Sequence, residues 1–337
     1  MTTRALAVVL LGLLIPARQT PQQARIVSLV PAVTEMLYAI GAGPDVVGVS
    51  SFDRFPPEVL SKPRVGALID PDVERILSLR PTAVIVYATQ RDLIDRLARA
   101  GIRTFATQHG GLSSIASTIR SIGALTDRRE RADDVARTIE RDLDDIRRRV
   151  AGRTRPKTAL VFGREPGSLR GIYASGGIGF MHDVLELSGG RDVFADVKRE
   201  NLQVTTELML ARAPEVILEV RPSDGWTADR LAAERAVWRA LPSLPAVKAG
   251  RVYLLADDRL SSPGPRIAEA ARLIARTLHP DAFQSPITSR RTPRRPRTPR
   301  RGLRRRGRPG ARTAGRTEPA GSPARTRPGR AAPRASR

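Results

Sequence analysis

The chain has 337 residues, enough for about two domains, with a formal net charge of +24 and no cysteine. The lack of cysteine excludes a disulfide framework and thiolate metal ligands, and predicts no lipid-bearing cysteine of the kind that tethers exported bacterial proteins. The charge is local: residues 285–337 hold 18 arginines, no lysine and one acid, Glu318, so residues 1–284 carry only +7.

Taken in chain order, residues 1–24 open with Arg4 and an apolar run, ALAVVLLGLLI, followed by small and polar residues. The run is too short to span a bilayer but has the length of a secretory h-region. Cleavage after Ala17 or Ala24 would release a soluble protein, and a periplasm is the expected compartment. From Arg25 the chain alternates between short β-branched runs and amphipathic stretches. RIVSLV predicts a strand, TEMLYAIGAG a helix stopped by Gly41, VVGVS a strand and VERILSLR a helical turn or two. TAVIVY and IRTFAT predict further strands, with the helix RDLIDRLARAG between them.

After Lys157 a similar order recurs. TALVFG, EVILEV and RVYLLA read as strands, and FMHDVLELSGG, TTELMLARA, AERAVWRALPSL and PRIAEAARLIARTL as helices. Such alternation predicts an α/β protein with mainly parallel sheets flanked by helices. The segments VERILSLRP and TELMLARAP repeat one statement, a glutamate seven residues before a proline (Glu74 to Pro81, Glu207 to Pro214). Repetition on this scale predicts two similar lobes, 25–112 and 153–284. Between them, Ile115, Ile119, Ile122, Val135, Ile139, Leu143, Ile146 and Val150 form an apolar seam. It predicts an interlobe helix over 113–152, in one or two pieces around Thr126-Asp127, that limits hinge closure. Residues 285–337 are arginine, proline, glycine and alanine with almost nothing apolar to bury, which predicts a disordered tail. Without interleaved aromatics it is a poor nucleic-acid binder, and no nucleic-acid partner is expected. A read-through extension of a GC-rich frame explains its composition better.

In open α/β sheets the ligand crevice lies beyond the carboxyl ends of the strands, and two lobes can share one cleft there. Ser28 to Thr34, Ser51 to Pro56, Tyr87 to Gln90, Gly163 to Gly177, Arg221 to Trp226 and Asp257 to Arg266 would converge on it. Phe52, Phe55, Tyr87, Tyr173 and Trp226 draw on an aromatic content of only 4% and suit a flat, largely apolar ligand. Arg54, Arg259 and Arg266 are candidates to pair with its carboxylates or phosphates, with Ser28, Pro31 and Gln90 completing the candidate ligand-binding set. An enzyme on the same plan, such as a tetrapyrrole chelatase or a nitrogenase-like protein, is the alternative of another class. It has little support: His109, His182 and His279 are scattered and no Gly-x-Ser-x-Gly elbow is present. No metal site is expected, His109 in TQHGG being the one candidate ligand.

RIVSLVPAVTEMLYAIG, VVGVSSFDRFPPEV, PRVGALIDPDVERILSLRPTAVI and PGPRIAEAARLI resemble the periplasmic substrate-binding proteins of ABC importers for vitamin B12 and iron complexes, over roughly residues 25–282. The likeness is strongest to the cobalamin-binding branch. The resemblance implies two lobes joined by a long helix and a monomer that grips haem, a ferric siderophore or a corrinoid as cargo rather than as a cofactor. It also implies a permease dimer as partner, docked through one surface glutamate per lobe, at positions matched here by Glu74 and Glu207. The loop SSFDRFPPE carries phenylalanine where the resemblance to haem-binding relatives implies a tyrosine on the iron. Tyr87, Tyr173 or His109 could substitute, but the departure favours a corrinoid over haem or a ferric siderophore.

Overall fold

The computed structural model describes residues 24–284 apart from His109. The expected export signal, the candidate His109 and the arginine-rich segment lie outside the described residues. The first half runs β1 (Ile26–Ser28), α1 (Pro31–Ala39), β2 (Val46–Val49), α2 (Val73–Ser78), β3 (Ala83–Tyr87), α3 (Arg91–Arg99) and β4 (Arg103–Thr107). Two helices follow, α4 (Ser113–Leu125) and α5 (Arg129–Val150). The second half runs β5 (Lys157–Gly163), β6 (Ile172–Gly176), α6 (Phe180–Leu187), β7 (Arg191–Asp192), β8 (Arg199–Val204), α7 (Thr206–Arg212) and β9 (Val216–Arg221). It closes with α8 (Ala228–Val237), α9 (Pro245–Lys248), β10 (Val252–Ala256) and α10 (Ile267–Leu278).

The first sheet has the order β2-β1-β3-β4, all parallel. In the second, β7, β5, β9 and β10 pair in parallel in that order. The two sheets therefore share one strand order, with α1 and α6, α2 and α7, and α3 and α8 in matching slots. One expectation is corrected: the halves do not have identical element order. β6 and β8 are added as antiparallel strands beside β5, so the second sheet is mixed. β8 (RENLQV) is exposed over most of its length, and β6 lies inside a glycine-rich stretch that reads as loop. Neither carries the apolar alternation that marks a half-buried strand.

Alternation assigns the sheet faces. Val84 and Val86 of β3 pack with Ile76, Leu93 and Leu97 on one side of the first sheet, whereas Ile85 points to the other. Ala159 and Val161 of β5 face Phe194, Met209 and Trp238, and Leu160 faces the opposite way. The two inward faces meet in one core with α1, α4, α5, α6 and α10, where Leu37, Ile119, Ile146, Val184 and Ile274 are fully buried. Each such side chain contributes about 1.5–3 kcal/mol, so the lobes are joined by a continuous core as well as by the connecting helices. The connector is two helices broken at Thr126 and Asp127, the latter at φ 56°. They pack tightly because Gly123 has no side chain; a Cβ there would lie 2.2 Å from that of Ala132.

Candidate functional site: a cleft between the two sheets

Three contacts bring the carboxyl ends of the strands face to face. Arg54, beyond β2, pairs with Asp224, beyond β9. Arg266, before α10, donates two 2.8 Å hydrogen bonds to Glu35 of α1, and its guanidinium lies 3.9 Å from the centroid of the Phe55 ring. The Leu112 N–H, at the start of α4, donates to Asp183 of α6 at 2.8 Å.

On the first wall, the loop after β2 is held from below. The Ser50 N–H donates to Asp53 Oδ2 at 2.8 Å, and Arg64 donates to the carbonyls of Ser50 and Asp53 at 2.8 and 2.7 Å. Burial pushes the Asp53 carboxyl up, against the opposing effect of the bonds it accepts. With its polar groups tied inward, the loop turns Phe52 and Phe55 outward, 67% and 41% exposed. Gln90 accepts from the Tyr87 N–H at 2.9 Å and donates to the Leu68 carbonyl at 3.0 Å. It thereby ties the end of β3 to a loop that presents Leu68 and Ile69, 38% and 91% exposed. Tyr87 packs against the shared core, and burial, then the nearby Asp53 charge, raises its phenol.

The second wall presents Tyr173 and Ile178, 48% and 42% exposed. Behind Ile178 a cavity of about 380 Å³ is lined mainly by Phe162, Phe180, Met181, Val220, Leu260 and Pro263. Glu219, fully buried on β9, accepts from Trp238 Nε1 at 2.8 Å, Arg164 Nε at 3.2 Å and Arg221 Nε at 2.8 Å. Arg221 in turn packs toward Trp226, whose ring also lies 4.3 Å from the Arg230 guanidinium. A buried ionic cluster thus supports a half-buried aromatic at the cleft rim. A recess of about 920 Å³ along α5 and α6 is larger. Its charged wall, including the pairs Arg147–Asp144 and Arg155–Glu186, makes it a poor site for a largely apolar ligand.

Cross-lobe contacts join Arg54, Phe55 and Arg266 to the facing side, while Phe52 and Trp226 follow β2 and β9 and Tyr173 pairs with Gly163 at the end of β5. Three other assignments are corrected. Ser28 is fully buried, with its hydroxyl accepting from Thr34 at 2.9 Å. Gln90 spends its amide on the two backbone bonds above. Arg259 is spanned by Asp257 and Glu269, each at 2.8 Å. Pro31 is the first residue of α1, where its fixed φ and missing N–H cost nothing. Sequence reasoning passed over Glu35, Leu68, Ile69, Ile178 and Asp224; only the exposed apolar pair Leu68-Ile69, before Asp70-Pro71, offered a signal.

A second surface carries the repeated segments. Glu74 and Glu207 are each the second residue of their helices, both exposed. Each helix is capped by the residue before it, Asp72 accepting from the Arg75 N–H and Thr205 from the Leu208 N–H. Hydrogen bonding to its own backbone N–H, then to Thr205, lowers the Glu207 carboxyl. Both segments then pass through a left-handed residue, Arg80 at φ 46° and Ala213 at φ 48°, before a proline and a strand.

Comparison with known proteins places this architecture. The family model for periplasmic binding proteins matches residues 26–259. The vitamin B12-binding protein of Salmonella typhimurium is 30% identical over 277 residues, covering 82% of this chain and 96% of that protein. An uncharacterized ABC transporter substrate-binding lipoprotein of Bacillus subtilis is 30% identical over 265 residues, covering 77% and 81%. Among solved structures, the periplasmic vitamin B12 binding protein of Vibrio cholerae aligns with a TM-score of 0.66 at 27% identity, covering 77% of this chain and 98% of that one. The periplasmic heme-binding protein of Roseiflexus sp. RS-1, in apo form, aligns at 0.65 and 25%, covering 78% and 100%. With two lobes, a shared core, a cleft at the strand ends and a family match over most of its length, the chain belongs to the periplasmic binding proteins.

Proposed function

We propose that this protein captures a corrinoid, of the cobalamin type, in the interlobe cleft and delivers it to the permease of an ABC importer. The observation that carries the reading is the apolar lining of an otherwise polar rim. Phe52, Phe55, Leu68 and Ile69 stand exposed on one wall and Tyr173 and Ile178 on the other. A broad ligand with apolar faces would cover them, and burying such side chains is the main source of affinity in cleft sites. The vitamin B12-binding relatives support the corrinoid. Haem and ferric siderophores are the alternative, supported by the heme-binding neighbour and by the exposed phenol of Tyr173.

Export to the periplasm and release as a soluble monomer belong to the same reading, as does the division into lobes 25–112 and 153–284. Docking on the permease through Glu74 and Glu207 also belongs to it. Two equal charges at equivalent points of duplicated lobes suit a partner that offers the same surface twice. Titration of the mature protein with cyanocobalamin, haemin and a ferric siderophore, followed by absorbance and tryptophan fluorescence, tests the ligand. Saturable binding of cyanocobalamin is expected; binding of haemin alone would replace the corrinoid with haem. Charge reversal at both glutamates should stop transport and leave ligand affinity unchanged, and a fall in affinity would contradict the docking role.

A further inference from the structure

The duplicated helices α2 and α7 match beyond the glutamate. Ile76 and Met209, two residues after Glu74 and Glu207, are both fully buried and anchor the helices to their sheets. Leu77 and Leu210, one residue further, are 39% and 38% exposed. Packing explains the first pair and not the second. Leu77 follows Glu74, and Leu210 follows Glu207, at the i, i+3 spacing that puts two side chains on one helix face. Among the described residues nine large apolar side chains are exposed, and six of them are the cleft residues named above. Of the other three, Leu60 lies in a single-turn helix, Pro57–Ser61; the remaining two are this leucine pair. An isolated exposed leucine is unremarkable. The same residue at the same position of two lobes, with the same exposure and beside the same acid, marks a surface repeated as a unit.

We propose that Leu77 and Leu210 are the apolar half of the docking surface, each seating in a hydrophobic recess on one of two identical membrane subunits of the importer. The inference rests on the reading that Glu74 and Glu207 dock on that partner, and it specifies the partner's chemistry. Each subunit must offer a cation for the glutamate and an apolar recess about one helical turn away. The two contributions differ in kind. Attraction between exposed charges is screened by salt, whereas burial of a leucine side chain is not.

The test is binding of the full chain to its importer, reconstituted in lipid nanodiscs, at about 50 and 500 mM salt, a range that spans strong and weak screening. Leu77→Ser and Leu210→Ser should each weaken binding about 3- to 7-fold, from the exposed fraction of a leucine that burial would cover. Lying on separate lobes, their effects should multiply in the double variant, equally at both salt concentrations. Glu74→Lys with Glu207→Lys should abolish binding at low salt. Unchanged ligand titration by each variant confirms that the fold and cleft are intact. If the leucine double variant binds as wild type while charge reversal abolishes binding, the leucine inference is overturned and glutamate docking stands. If charge reversal has no effect, the docking reading itself is lost. A dimer of the free protein that dissociates in the leucine variants would assign the pair to self-association and overturn the proposal.

Discussion

Glu35→Gln is the most direct probe of how the lobes are held across the cleft. Glu35 and Arg266 are 231 residues apart in sequence, and their side chains are 7% and 20% exposed. Exposed ion pairs contribute about 0–1 kcal/mol, and removing one partner of a buried pair costs about 3–5 kcal/mol. One-fifth exposure of the arginine places this pair between them, at about 2–3 kcal/mol for loss of the carboxylate. At about 2–4 °C per kcal/mol for a protein of this size, the midpoint of thermal unfolding should fall by about 4–12 °C. A double-mutant cycle with Arg266→Gln, read by urea unfolding, isolates the pairwise part. A coupling energy below about 0.5 kcal/mol, the scatter expected for independent sites, would refute the reasoning and leave the joining of the lobes to the shared core, the connecting helices and the other cross-cleft contacts.

Three further outcomes follow from the same geometry. Arg164→Met should cost about 3–5 kcal/mol in urea unfolding, because it leaves Glu219 and Glu234 buried without their shared cation; a loss under 1 kcal/mol would mean that water enters the cluster. Asp53 titrates above its ordinary 3.8 in the folded protein because of burial. The folded state therefore holds this proton more tightly than the unfolded state, and the group costs stability as pH rises through its raised value. Asp53→Asn should remove that component, so the difference in stability between variant and wild type should grow in the variant's favour from pH 4 toward neutrality; a constant difference would contradict it. Arg54→Ala should leave stability within about 0.5 kcal/mol, since its pair with Asp224 is exposed on both sides, yet weaken binding of a carboxylate-bearing ligand such as haemin.

The cleft arginines form a graded series, and the grade decides which of them can read charge on a ligand. Arg259 is engaged by two carboxylates, and the hydrogen bonds it donates to Asp257 and then Glu269 raise its guanidinium above the usual range. Arg266 is locked to Glu35 and packed on Phe55, so a ligand anion would have to displace a largely buried carboxylate. Arg54 gives up only a solvent-exposed partner. Exchange at Arg54 is nearly neutral, whereas exchange at Arg266 would leave Glu35 as an uncompensated buried charge. Under the proposed function, recognition of a ligand anion would therefore fall first on Arg54. Arg266 instead positions Phe55 and closes the cleft on one side.

What the sequence disclosed follows from how local each feature is. The parallel strands and their helices were legible because β-branched runs, amphipathic spacing and glycine stops are written within about ten residues. β6 and β8 were not, since β6 sits in a glycine-rich stretch and β8, the exposed edge strand, needs no apolar alternation. Phe52, Phe55 and Trp226 were assigned to the cleft because they follow strand ends, where loops place side chains outward. Ser28 and Gln90 misled for a complementary reason: polar residues at strand ends are as useful for satisfying buried backbone groups as for touching a ligand, and composition does not distinguish the two. Glu35, Asp224 and the leucine pair lay beyond reach because their meaning depends on a partner across the cleft or on a burial value. In VERILSLRP and TELMLARAP the isoleucine and methionine, the left-handed residue and the proline are what packing a helix onto a sheet demands. The glutamates were separable from that demand by sequence alone. The exposed leucines were not, because an apolar residue in an amphipathic helix reads as core until its neighbours show that the core is already filled.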